Sequence, residues 1–314
     1  MPEGVVVTVL GAIAPERLGV TDAHDHLFLR TPALPGQEFD DAERAIEEVS
    51  SAKGGGLQAI VEVTPIGCGR RPAGMRAVAE ATGVHVVAAT GYHRDAHYPQ
   101  NHWVREATVE LLADRILADL NDGMHPDDWL TESPLDQARA GVIKAGASYQ
   151  HISRFEERRL VAAAIGHRAT GAAILVHTEI GTCGHEIVDL LTREGVRPER
   201  IILAHLDRNP DVELHSELAA RDVTLEYDTP GRIKYRPDSQ LIDLIEAMAA
   251  AGHLGRVLLG LDLGKRDYFR AYGGGPGLSY LMEGFVPRLR KRIGEKSVQA
   301  ILVTNAARGF ALSQ

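Results

Sequence analysis

Short apolar runs rich in Val, Ile and Leu recur along the chain, and most of them stop at a residue able to bind a metal or carry a proton. Their ends fall near His26, Glu62, Gly91, Lys144, His177, His205, Tyr227 and Asp262, at successive intervals of 36, 29, 53, 33, 28, 22 and 35 residues. Continuous apolar runs of this length read as buried parallel strands, and each interval has room for a turn and a helix. Eight βα units in a row predict an α/β fold, a (β/α)8 or TIM barrel. Helical periodicity is clear over Asp41 to Lys53 and Ser239 to Ala251. The longest interval predicts a loop at Tyr92 to Pro99 and a helix over Ala107 to Leu120. Such an excursion over a barrel mouth shapes substrate access or subunit contact. Val5 to Ile13 predicts a short β-hairpin ahead of the barrel. No internal repeat or low-complexity tract divides the chain, so residues 1–314 are expected to form a single barrel domain.

The polar ends of these runs carry the candidate chemistry. Alternate strand residues point to one side, so the imidazoles of His24 and His26 converge, an arrangement that favours a transition metal. Alone, such a pair is more often two ordinary polar residues at a strand end. Lys144, His177, His205 and Asp262, however, each finish an apolar run of their own, and polar termini recurring on several strands mark a site at the carboxyl face of a barrel. Any one of them also reads as a satisfied polar residue. Their recurrence in barrel order favours the shared site.

Composition narrows the function further. A chain of 314 residues that is 44% hydrophobic and 25% charged has enough material for one large globular core. A net charge of -9 argues against a nucleic-acid surface, which needs a basic stripe. The two cysteines, Cys68 and Cys183, have neither disulfide-framework nor metal-binding spacing, so a reducing cytoplasm is the expected compartment. The segment from Met1 to Leu10 lacks the pattern of a signal peptide, and no apolar run approaches the ~18 residues of a membrane span. A soluble, unprocessed protein is expected.

Taken together, His24, His26, Lys144, His177, His205 and Asp262, with Thr64-Pro-Ile-Gly after the second strand and Asn305-Ala-Ala-Arg near the end, resemble the phosphotriesterase family of the amidohydrolase superfamily. The resemblance runs through essentially the whole chain. It implies one metal held by His24, His26 and Asp262, a second held by His177 and His205, and Lys144 bridging the two. An ammonium cannot ligate a cation, so Lys144 would first react with carbon dioxide to give a carbamate, and burial favours the amine this needs. The other reading of Lys144 is a carboxylate-paired or Schiff-base lysine. Two cations ~3.5–4 Å apart can supply a bridging hydroxide, with Asp262 taking its proton and handing it to the leaving group. Asp207 would orient a ligand, relay that proton or cap a loop. Imidazole and carboxylate suit zinc first, with manganese, cobalt or iron also compatible.

The loops after the last two strands suggest the substrate. Asp228 to Arg236 and Leu263 to Gly277 lie where barrels often bind phosphate. Between Pro230 and Tyr272 the chain carries seven Lys or Arg and five Asp or Glu, a positive stretch in an acidic protein. Lys234, Lys265 and Tyr268 resemble the trio that grips phosphate in the family's phosphofuranose lactonases. The alternative is that Arg232, Lys234, Arg236 and Arg266 are solvated loop charges. Gly273-Gly-Gly-Pro-Gly reads as a bend, since Pro276 removes a donor from any phosphate cradle. The expectation is therefore a metal-dependent hydrolase opening a small anionic lactone or ester, assembled as a homodimer. Its rivals are phosphotriester hydrolysis on the same centre and a non-catalytic binding protein. The second would leave costly buried polar groups idle.

Overall fold

A computed structural model describes residues 4–130 and 133–312. Met1 to Glu3, the first residues of the segment read as unprocessed, lie outside the described residues, as do positions 131–132 within the long excursion and 313–314. The eight apolar runs pair in parallel and in sequence order: β3 (Thr21–Asp25), β4 (Ala59–Glu62), β5 (His85–Gly91), β6 (Ala140–Ala147), β7 (Ile174–Thr178), β8 (Ile201–Ala204), β9 (Thr224–Tyr227) and β10 (Val257–Leu259). They are preceded by an antiparallel hairpin of β1 (Val6–Thr8) and β2 (Gly11–Ile13), as the sequence predicts.

The seam between β10 and β3 closes the barrel through loop backbone. The N–H groups of Leu261 and Asp262 donate to the His24 carbonyl at 3.2 and 2.8 Å. A side chain at Gly260 would come within 2.8 Å of the His24 nitrogen, so only glycine permits this approach. Small and branched residues, Ala23, Ala59, Val61, Val87, Ala89, Val142, Leu175, Ile202 and Leu258, fill the barrel interior. The hairpin closes the end where the strands begin, with Val9 N–H donating to Val86 O at 2.9 Å. The opposite, carboxyl end is left for a site.

Helices α1 (Ala42–Gly54), α2 (Pro72–Thr82), α3 (Val109–Asn121), α4 (Arg154–Thr170), α5 (Gly184–Arg193), α6 (Val212–Ala220) and α7 (Asp238–Ala250) separate the strands, and α8 (Val286–Gln299) and α9 (Ala306–Phe310) finish the chain. Two predicted helix starts move by capping. Asp41 stands outside α1 and accepts from the Glu43 and Arg44 N–H groups, and Thr108 stands outside α3 and accepts from Leu111. Two predicted strand ends move by three residues, the others by one at most. β6 continues past Lys144 because Gly146 and Ala147 pair with His177 and Thr178 of β7. β10 stops three residues before Asp262, where Gly260 and the left-handed backbone of Asp262 (φ 48°) turn the chain inward. The segment between α3 and β6 folds back over the β4 loop, held by Asp128, whose two carboxylate oxygens accept from Gly67 and Gly69 N–H at 2.8 and 2.7 Å.

Candidate metal centre and active site

His24 and Lys144 stand on β3 and β6, and their side chains meet inside the carboxyl end of the barrel, with Lys144 Nζ 3.3 Å from His24 Nε2. Asp262 reaches the same point from the β10 loop, its Oδ1 lying 3.7 Å from His24 Nε2 and 3.4 Å from His26 Nε2. Across the centre, His177 Nδ1 and His205 Nε2 approach to 2.8 Å. The six residues read from the sequence as metal-capable thus line one cavity of about 230 Å³, together with Lys234, Lys265 and Tyr268.

The far nitrogen of each imidazole is engaged by an oxygen. His24 Nδ1 meets Glu226 Oε2 at 2.6 Å, His26 Nδ1 meets Thr64 Oγ1 at 2.7 Å, His205 Nδ1 meets Asp228 Oδ1 at 2.7 Å, and His177 Nε2 meets Glu179 Oε2 at 2.8 Å. Each partner accepts a hydrogen bond from the ring N–H, which leaves the near nitrogen's lone pair facing the cavity. Two acceptor nitrogens 2.8 Å apart, those of His177 and His205, repel unless a cation or proton lies between them. His24, His26 and Asp262 form one group whose ligand atoms all lie within 4.8 Å, and His205, Asp228 and Asp262 form another. The donor set therefore fits divalent metal.

Burial dominates the titration of the site. It pushes His177 down to about 4 and His24, His26 and His205 also below their usual range, which keeps imidazole neutral and able to ligate. Lys144 is pushed down to about 8 by burial, against the opposing pull of Glu226, Asp262 and Asp228. Burial alone would raise Asp262, but Arg232, with His205, His26 and Arg208, holds it well below the usual carboxylate range.

The phosphotriesterase family profile matches residues 4–310 of this chain. The chain belongs to the phosphotriesterase family. A phospho-furanose lactonase of Mycoplasmopsis agalactiae is 34% identical to it, over 96% of this chain and 89% of the relative. The crystal structure of an amidohydrolase from Mycoplasma synoviae superimposes with a TM-score of 0.94 at 30% identity, covering 100% of this chain and 94% of that one. That of a lactonase from Listeria monocytogenes superimposes with a TM-score of 0.90 at 28% identity, covering 99% and 100%. The protein is accordingly an enzyme, a metal-dependent hydrolase of the phosphotriesterase kind.

Several residues that shape this family member's site escape a reading of strand ends. Glu226 and Asp228 alternate on either side of Tyr227 as His24 and His26 alternate around Asp25, and that spacing was the signal available. Arg208 Nη2 donates to Asp262 Oδ2 at 2.6 Å, and Arg232 Nη2 lies 2.8 Å from the same oxygen. Arg232 is buried and also donates to the Leu261 and Asp262 carbonyls, so it is no solvated loop charge. Lys234 and Arg266 are exposed, with Lys234 Nζ 4.6 Å from the Tyr235 ring centroid and 6.0 Å from that of Tyr268. Asp207 caps the β9 loop, accepting from Asp228 and Thr229 N–H at 3.1 and 2.8 Å, and does not line the cavity. The bend at Gly273 to Gly277 has its Gly274, Gly275 and Gly277 N–H groups already donated to chain carbonyls, leaving none of the three for a phosphate. Among the described residues no helix is long and apolar enough to cross a membrane.

Proposed function

We propose that this hydrolase opens a small lactone carrying a phosphate. The observation that carries the reading is the placement of Lys234, Lys265 and Tyr268 on the wall of the cavity that holds the His, Lys and Asp cluster. The relative named phospho-furanose lactonase supports it. In this reading His24, His26 and Asp262 hold one divalent cation and His177 and His205 a second, with Lys144 between them. Such a pair lowers the pKa of water and polarises the carbonyl under attack. Zinc is the first candidate, with manganese, cobalt or iron compatible.

The chain's own residues supply the rest. An amine at Lys144 can attack carbon dioxide, and loss of one proton from nitrogen gives an anionic carbamate in place of a cation. Lys234 and Lys265 pair with the phosphate, and the Tyr268 hydroxyl donates to it, which fixes the carbonyl relative to Asp262. Asp262 accepts the proton of the attacking water and returns it to the ring oxygen as the acyl C–O bond breaks. Arg208 and Arg232, both on Oδ2, turn Oδ1 toward His26 and keep the carboxylate ionised. Phosphotriester hydrolysis on the same centre would place a neutral substrate against this cationic wall, which supports the lactone reading.

Elemental analysis combined with proton release from a panel of lactones tests the proposal. About two metal ions per chain and metal-dependent acid release are expected. Full turnover after exhaustive metal removal, or turnover of triesters with none of lactones, would overturn it.

A further inference from the structure

Behind the reacting centre the cavity wall carries two imidazoles that the proposed reaction does not use. His93 and His97 follow β5 and stack at 3.5 Å between centroids with planes 14° apart, and the His93 ring lies 4.6 Å from that of His177. Both line the cavity. With eight strands in sequence order, β5 stands four places from β9, so this pair faces the Arg232 to Tyr235 loop across the mouth.

Their hydrogen bonds assign opposite roles to them. His93 Nδ1 accepts the Arg94 backbone N–H at 2.8 Å, which requires that its proton sit on Nε2. At His97, the Thr31 hydroxyl lies 3.1 Å from the His97 carbonyl and 3.2 Å from Nδ1. A hydroxyl has one proton, so both contacts are satisfied together when Thr31 donates to the carbonyl and Nδ1–H donates to Thr31. His97 Nε2 is then an acceptor. Among the described residues neither Nε2 makes a hydrogen bond. A donor and an acceptor are thus carried by two stacked rings that cannot rotate without breaking the stack and these bonds.

A hydroxyl group both donates and accepts, and so matches this pair; a hydrogen or methyl group in its place satisfies neither nitrogen. We infer that His93 and His97 read a ring hydroxyl of the substrate, making them specificity residues for a hydroxylated sugar lactone over its deoxy counterpart. The inference rests on the lactone reading above and narrows its substrate class.

Two measurements keep the failure of each claim distinct. Turnover is compared for ribonolactone 5-phosphate and its 2-deoxy and 3-deoxy analogues. Calorimetric binding to the metal-loaded protein is compared for ribose 5-phosphate and its 2-deoxy and 3-deoxy analogues. The wild type is expected to favour the hydroxylated member over at least one deoxy analogue by about ten-fold or more in kcat/KM and in Kd. His93→Phe and His97→Phe preserve a stacked ring, and each should reduce that preference to two-fold or less through KM, with metal content unchanged. No preference in the wild type, or the same preference in both Phe variants, overturns the inference. Binding preference without lactone turnover sustains the hydroxyl site and defeats the lactone reading instead.

Discussion

At the residue scale the site depends on pairs in which one partner fixes the other's proton. Lys144 is the clearest case, because burial pushes its ammonium down to about 8 and the proposed carbamate needs the neutral amine. Lys144→Ala should lower metal content below one ion per chain and abolish most turnover, whereas Lys144→Glu, which restores an anionic oxygen, should regain metal without full activity; elemental analysis beside lactone turnover reads both. Asp262→Asn should lose roughly a hundred-fold or more in kcat, since an amide cannot take the proton of water. Normal kcat in that variant across pH 6 to 9 would remove Asp262 from the proton path. His24, His26, Lys144, His177, His205 and Asp262 were legible in the sequence because each ends or interrupts an apolar run. Arg208 was not, since a charged residue three positions past His205 looks like any loop arginine until the loop's left-handed turn at His205 (φ 65°) brings it against Asp262.

At the element scale, precise approach of neighbouring strands and loops sets where those residues stand. Gly91 has φ 86°, and a side chain there would run into the Lys144 carbonyl of β6. Gly91→Ala is therefore expected to destabilise the fold on the order of 2 to 3 kcal/mol and to weaken metal retention, as urea unfolding and dialysis against a chelator would show. Arg70, from the β4–α2 loop, is buried against Asp119 of α3 at 2.6 Å, and Thr90 of β5 donates to the same carboxylate at 2.6 Å. Burial would raise Asp119, but Arg70, His125 and Thr90 hold it down at about 2 against an ordinary value of 3.8. Its contribution is present in full above the ordinary value and is lost as pH falls through about 2. Asp119→Asn should cost roughly 3 kcal/mol near neutrality, and the linked part, about 2 kcal/mol, should be roughly half gone by pH 3 in paired urea titrations. An unchanged difference between pH 7 and pH 3 would show that the carboxylate's charge does not stabilise the fold. The barrel's strands were legible from apolar runs, yet their ends were not, because the pairing partner decides where a ladder stops. Gly146 and Ala147 carry no strand signal and are strand only through β7.

At the scale of the whole molecule, one end of the barrel is closed by the hairpin and the other gathers the metal-capable cluster, the wall of Lys234, Lys265 and Tyr268, and the His93–His97 pair around a single cavity. In an acidic chain this cavity is lined by Arg94, Arg208, Arg232, Lys234 and Lys265 beside Glu179 and Asp262, a local excess of positive charge that favours approach of an anion. The direct test of this arrangement compares kcat/KM for a phosphorylated lactone and its unphosphorylated counterpart in the wild type, Lys234→Ala and Lys265→Ala. The wild type is expected to prefer the phosphorylated lactone, and each variant to lose roughly ten- to hundred-fold on that substrate alone. Equal losses on both lactones, or a wild-type preference for the neutral one, would contradict it.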